Sequence, residues 1–239
     1  MRPGCSTAVG MNAQYRAGRI AHHVSGKWLD YGCADGGYAE QLLTVGADEV
    51  VGVDVETSRI EQAQARGLKQ ASFLHCPTGS KLPFGDETFD GAFVNEVMEH
   101  VDNEQQSLAE LCRVLKPGGR VVVISPNRWF PFEGHTVHIG NRKMNPAPLI
   151  PWLPSRLTQP HVEARNYWPR ELVGQVRQAG FAIAEVGFIW PVLDVYPWLP
   201  QSLIPLYQRN IPRLDRLPGL RRFGVSTLVV GVKPAVVLR

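Results

Sequence analysis

The sequence predicts an α/β fold built on a largely parallel sheet. Three observations predict it. Short apolar runs alternate with helix-spaced stretches through the first half of the chain, the pattern of βαβ units. Seven such runs are long enough for strands, and a glycine-rich turn follows the first of them. A chain of 239 residues, 44% hydrophobic and 20% charged, is able to bury one sizeable core. We therefore expect a single domain over residues 1–239.

Lys27–Tyr31 reads as the first strand, ending in the glycine-rich turn, and Tyr38–Val45 as the first helix. Glu49–Val53 is the second strand, closed by Asp54. Ser58–Arg66 has helical spacing and stops at Gly67, a C-terminal cap residue. Ser72–His75 and Phe89–Val94 are the third and fourth strands. Asn103–Leu115 is a helix broken by Lys116-Pro117-Gly118-Gly119, and valine-rich Arg120–Ser125 is the fifth strand. Beyond Pro126 the composition changes, with five of the six tryptophans lying past residue 128. Residues 127–168 form a segment too long for a plain connector and so a candidate substrate cap. Arg170–Ala179 is helical and Phe181–Ile189 alternates as a strand. Residues 191–222 are a second proline- and aromatic-rich stretch and a second candidate substrate cap, whose Pro205, Pro212 and Pro218 predict only short helical pieces. Ser226–Lys233 is the last strand.

Composition narrows the function. A net charge of +3 is too small to indicate nucleic acid as partner. Cys5, Cys33, Cys76 and Cys112 make no Cys-x-x-Cys pair, which suits unpaired thiols in a reduced compartment. No apolar run reaches the ~18 residues that span a bilayer, and residues 1–10 lack the layout of a secretory signal. The expected location is the cytoplasm.

The turn Leu29-Asp30-Tyr31-Gly32-Cys33-Ala34-Asp35-Gly36-Gly37 is the main chemical signal. Its glycines let backbone approach a ligand, and the following helix offers free N–H groups. By itself the turn also fits a tight strand-to-helix connection with no ligand. Asp54 ends the next strand about 20 residues on, where a carboxylate accepts both hydroxyls of a ribose. A dinucleotide site needs Gly-x-Gly-x-x-Gly, whereas the spacing here is Gly32-x-Ala34-x-Gly36, preceded by Asp30. An anion beneath a pyrophosphate repels it. The same anion attracts the sulfonium or amino group of S-adenosylmethionine.

With these residues the chain resembles the class I S-adenosylmethionine-dependent methyltransferases, in particular the group acting on small molecules, quinones and sugars. Leu29–Gly36 is similar to their first motif and Asp54 to their ribose-binding acid. Leu82–Asp90, Asn95–Val101 and Leu111–Gly119 resemble the segments around their fourth and fifth strands. The resemblance spans residues 15–126 and implies a Rossmann-like, mostly parallel seven-stranded sheet with helices on both faces and an antiparallel last strand. It implies S-adenosyl-L-methionine as cofactor, held by Asp30, Gly32, Ala34, Gly36, Asp54, Val55, Thr78 and Asn95. Two departures stand out. Ala34 replaces a usual glycine, and His75-Cys76-Pro77-Thr78 lacks the aspartate that receives the adenine amino group. Cys76, Thr78 or a backbone carbonyl must serve there.

Methyl transfer needs alignment in a dry pocket, and a base only when the acceptor loses a proton. Histidine suits that task. His135 and His138 follow the fifth strand and are the candidates, the alternative being that both pack within their loop. His100 reads as a residue capping or buttressing the helix that Val97 opens rather than as a base. Glu133, His135 and His138 also suggest a metal, but the His-x-x-His spacing does not fit one helix face, so no metal is expected. Base-methylating signatures are missing: the turn after the fourth strand reads Asn95-Glu96-Val97-Met98, and no cysteine has the setting of a base-attacking nucleophile.

The aromatic runs at 129–132, 151–154 and 196–200 suit an apolar acceptor. Residues 202–222 mix leucines and isoleucines with Arg209, Arg213, Arg216, Arg221 and Arg222. That segment reads either as a cover for the sheet edge or as a peripheral contact with the membrane's inner face. The expected reaction is O-methylation of a small or lipid-linked acceptor such as a quinone precursor, a sugar-bearing lipid or a hydrophobic metabolite. The alternative is a protein that binds S-adenosylmethionine without turnover, as a partner or sensor.

Overall fold

The computed structural model describes residues 5–235 apart from 78, 80, 140, 141, 146, 159, 160, 163, 192 and 194–199. Its elements run α1 (Cys5–Ile20), β1 (Gly26–Tyr31), α2 (Gly37–Val45), β2 (Ala47–Asp54), α3 (Thr57–Ala65), β3 (Ala71–His75), β4 (Phe89–Asn95), α4 (Glu104–Val114) and β5 (Leu115–Pro126). After the cap come α6 (Pro169–Gln178), β10 (Ala182–Ile189), α7 (Ile204–Leu214) and β11 (Ser226–Val232). The main sheet has seven strands in the order β10-β11-β5-β4-β1-β2-β3. β1 to β5 are parallel, and β11 runs antiparallel to both β5 and β10. All seven expected strands are present, and the last is antiparallel.

Strand alternation sends successive side chains to opposite faces. Trp28, Val50, Phe93, Val122 and Ile124 pack beneath α1, α2 and α3 through Ile20, Leu42 and Ile60. Leu29, Val51, Val121, Val123 and Val229 meet α4 and α6 through Leu108, Leu111, Leu172 and Val176. Both faces are thereby covered by helices. α4 starts where Asn103 accepts the Gln106 N–H at 3.0 Å, a side-chain cap of the kind the sequence signals.

Two elements depart from expectation. Helix α1 has no counterpart in the sequence reading: its first turn carries no acid, and Gly10 and Gly18 weaken the helical signal. Helix α7 runs through a segment expected to hold only short helical pieces. Pro205 lies in its first turn, where the missing N–H costs nothing, and Pro212 falls near its end. Burial of Ile204 and a Tyr207 hydroxyl bond to the Pro191 carbonyl, 3.0 Å, seat the helix despite the prolines.

The cap at 127–168 is more regular than its composition suggests. β6 (Phe132–Glu133) pairs with β9 (Ala147–Pro148), and β7 (Val137–Ile139) with β8 (Arg142–Met144); α5 (Ser155–Thr158) follows. Tyr167 pins it to the core: its hydroxyl lies 2.9 Å from the Met98 carbonyl and 3.1 Å from Glu104, and its one proton is shared between them. Asn127 Nδ2 donates to the Arg222 and Gly224 carbonyls, 2.7 Å each, and so ties the cap's first residue to the second proline-rich stretch.

Candidate active site

β1 is the strand from which the order diverges, with β2 and β3 on one side and β4 and β5 on the other. Ligands of open α/β sheets bind in the crevice beyond the strand ends at such a point. The glycine turn lies there. Gly32, Ala34 and Gly36 all have positive φ, at +81°, +45° and +79°. The Gly32 and Cys33 N–H groups donate to the Val53 carbonyl at 2.8 and 3.0 Å, which ties the turn to β2. A Cβ on Gly32 would lie 2.3 Å from Val97 Cγ2, because the loop after β4 closes directly over the turn. Ala34 occupies the left-handed region at a cost of about 1 kcal/mol relative to glycine.

Asp54 supports that conformation. Its Oδ2 accepts the Ala34 N–H at 2.9 Å and its Oδ1 the Glu56 N–H at 3.0 Å. An ionised carboxylate has about four acceptor positions, so two remain for a pair of ribose hydroxyls. Val55, next along, is about half exposed at 52%, and its carbonyl faces His75 Nε2 at 3.1 Å. Thr78 lies outside the described residues.

Asp30 is only 2% exposed. It accepts a backbone bond from Ala39, while its Oδ2 is buried with no partner. Burial, reinforced by Asp54 and Asp35, pushes its pKa up to about 7. A buried carboxylate oxygen without a donor is costly, and a cationic amino or sulfonium group would satisfy it. The turn, Asp30 and Asp54 thus fit S-adenosylmethionine in charge and in donor–acceptor complement.

Asn95 and Glu96 end β4 at the same crevice. Arg16, from α1, donates to Asn95 Oδ1 at 2.6 Å and to Glu96 Oε1 at 2.8 Å. Asn95, expected at the cofactor, thus carries a structural bond to Arg16. Glu96, itself at φ +54°, also accepts the Ser226 hydroxyl at 2.6 Å. Burial would raise the Glu96 carboxyl, but Arg16 and Ser226 hold it below the usual range. Three residues on, burial and the Glu96 charge push Glu99 well above its usual value. Arg16 and this carboxyl pair had no signal in the sequence, since Arg16 lies 79 and 80 residues from its partners.

The cap brings His135 to the loop after β4. Its ring stands edge-on to His100, centroids 5.6 Å apart, and one side-chain ligand atom from each of Glu99, His100 and His135 lies within 4.8 Å of the others. His135 Nδ1 is 3.0 Å from Oε1 of Glu133, which also accepts the His135 backbone N–H at 2.9 Å. Glu133 is completely buried, and Asn166 donates to its other oxygen. With the proton placed on Nδ1 toward the carboxylate, the ring is oriented with Nε2 away from Glu133. His138 lies in β7 opposite Lys143 and outside this group. The grouping therefore differs from the Glu133–His135–His138 set considered from spacing. Burial and the neighbouring Glu96 charge push the Glu99 carboxyl up, which works against its serving as an anionic metal ligand. Beside Glu133 a cavity of about 300 Å³ opens between cap and core, its wall including Arg128, Asn166, Tyr167 and Glu171.

Residues 29–123 match the methyltransferase domain family. Over 232 residues the chain is 32% identical to a probable S-adenosylmethionine-dependent methyltransferase of Mycolicibacterium smegmatis, covering 90% of this chain and 85% of that one. The chain belongs to the S-adenosylmethionine-dependent methyltransferases. It is also 35% identical over 110 residues to the O-methyltransferase resE of Aspergillus sclerotiorum. That match takes in 44% of the methyltransferase described here and 41% of resE, so less than half of the fungal relative's length is spanned. In fold it is similar to an S-adenosylmethionine-dependent methyltransferase of Mesorhizobium loti, with a TM-score of 0.62 and 20% identity over 92% of this chain and 97% of that chain.

Proposed function

We propose that this methyltransferase uses S-adenosyl-L-methionine to methylate an oxygen of a small or lipid-linked acceptor, with His135 removing the acceptor's proton. The observation that carries the reading is the fully buried Glu133 holding His135 Nδ1 at 3.0 Å beside the loop that closes on the glycine turn. A carboxylate so placed selects the tautomer whose Nε2 accepts a proton and stabilises the imidazolium that results. When bound, the cofactor supplies a methyl group on a positively charged sulfur, which needs no activation by the protein. Asp54 and Val55 hold its nucleoside part, and Asp30 faces its charged end. Cap and core together exclude water around the reacting atoms. The name of the fungal relative supports oxygen as the atom methylated. The exposed aromatic and aliphatic side chains Trp129, Phe132, Trp152 and Leu153 support an apolar or lipid-linked acceptor. We place the reaction in the cytoplasm, a reading supported by the free thiols of Cys33 and Cys112.

The test uses methyl-labelled S-adenosylmethionine and an extract of the source cells as acceptor. His135→Ala lowers the transfer rate by about 10²–10⁴-fold while cofactor affinity, read by calorimetry, stays within about twofold. Glu133→Gln gives a smaller loss and moves the alkaline-rising limb of the pH–rate profile. Unimpaired turnover in His135→Ala removes His135 as the base. Cofactor binding without any transfer by the unmodified protein assigns the chain to the non-catalytic binders.

A further inference from the structure

Away from the crevice, α7 and the turn after it present an outer face that the proposed chemistry does not use. The inner side of α7 is seated through Ile204, Tyr207, Ile211 and Leu214, none of them exposed. Its outer side carries Leu203, Leu206, Arg209, Arg213 and Arg216, all exposed. Leu206 is 60% exposed and Leu203 53%, side by side on this face. Beyond the helix, Leu217, Leu220, Arg221, Arg222 and Phe223 are exposed as well.

Asp215 is the one acid in residues 202–225, and it is turned inward. It accepts from Arg19 and from Trp190 Nε1, the latter at 2.5 Å. The outer face therefore presents five arginines and no carboxylate.

The apolar surface does not end with this segment. The Phe223 ring lies 6.3 Å from that of Trp129, and the Trp129 carbonyl accepts Trp152 Nε1 at 3.3 Å. Trp152, Leu149, Leu153 and Leu157 are exposed in turn. Arginines and apolar side chains on one surface match the two layers of a bilayer interface. Guanidinium groups reach phosphates, while leucine and tryptophan enter the acyl boundary. A nucleic acid would engage the arginines and leave the leucines in water. A protein partner would have to be both strongly acidic and apolar along the same line.

We propose that the face formed by residues 203–223 together with Leu149–Leu157 of the cap docks on an anionic phospholipid surface. The inference shares Trp129, Trp152 and Leu153 with the surface offered for the acceptor, and it does not depend on the role given to His135.

The test is co-sedimentation of the full chain with phosphatidylcholine vesicles, with and without phosphatidylglycerol, at low and high salt. The expected result is at least tenfold stronger binding to the anionic vesicles, weakened by salt. Arg209→Glu/Arg213→Glu should abolish that preference. Leu203→Asp/Leu206→Asp should weaken binding even at low salt. All four side chains are exposed, so circular dichroism and cofactor binding should match those of the unmodified protein. Equal binding to both vesicle types, equal binding by the variants, or binding to RNA or DNA but not to vesicles would each overturn the proposal.

Discussion

Asp54 and Ala34 hold each other in place: the carboxylate accepts the Ala34 N–H at 2.9 Å, and Ala34 keeps a left-handed conformation that a glycine would adopt more easily. One side chain thus fixes the cofactor turn and retains two acceptor positions for a ligand. Asp54→Asn keeps the shape but turns an amide NH₂ toward either the Ala34 or the Glu56 N–H. One buried donor loses its partner, at about 1–3 kcal/mol. The expected outcome is a lower midpoint in urea together with at least tenfold weaker binding of S-adenosylmethionine, read by calorimetry. Unchanged affinity would remove Asp54 from the cofactor site.

With Asp30 in the proposed cofactor site, binding is expected to depend on pH. Its folded pKa, about 7 through burial and the charges of Asp54 and Asp35, lies above the ordinary value. Its contribution to stability is therefore full in acid, below the unfolded pKa, and is lost as pH rises through about 7. A cationic ligand has the opposite preference, because it needs the carboxylate ionised. Affinity for S-adenosylmethionine should rise roughly tenfold between about pH 6 and about pH 8, with proton release on binding in the acid part of that range. Asp30→Asn should bind more weakly and with a flatter profile. A flat profile in the unmodified protein would count against direct contact between Asp30 and the cofactor's charge.

Arg16 tests the part of the site supplied by α1. It is 6% exposed and bridges Asn95, Glu96 and Ser226. Arg16→Met removes the cation from Glu96 and frees the Asn95 amide oxygen. Breaking this partly buried pair from one side costs about 1–3 kcal/mol, or a fall in Tm of roughly 2–12 °C for a domain of this size. Arg16→Lys should recover only part of the loss, since one ammonium nitrogen cannot replace the separate Nε, Nη1 and Nη2 donors that reach Asn12, Asn95 with Glu96, and Ser226. A Tm unchanged in Arg16→Met, measured by calorimetric melting, would show that Glu96 needs no cation.

What the sequence revealed follows from how far apart the interacting residues lie. Gly32, Gly36 and Asp54 were legible because strand, turn and acid fall within one βαβ unit and each local preference agrees with the fold. Ala34 looked like a departure, and the structure accommodates it by the positive φ that Asp54 stabilises. His135 was legible as a histidine just after the fifth strand. Its partner Glu133 was visible too, but as one of three spacing-based metal ligands rather than as the residue that orients the ring. Glu99 and His100 joined the group only through tertiary packing of cap on core. Arg16 was out of reach because its helix has weak local signals and its partners are distant. Helix α7 was hidden by Pro205 and Pro212, whose local cost is offset by burial on the inner side.

The most direct measurement incubates the purified chain and methyl-labelled S-adenosylmethionine with an extract of its own cells, then partitions the label between organic and aqueous phases. The label is expected in the organic phase, formed by the unmodified protein and lost in His135→Ala. Bound cofactor with no label transferred to any phase would contradict that expectation.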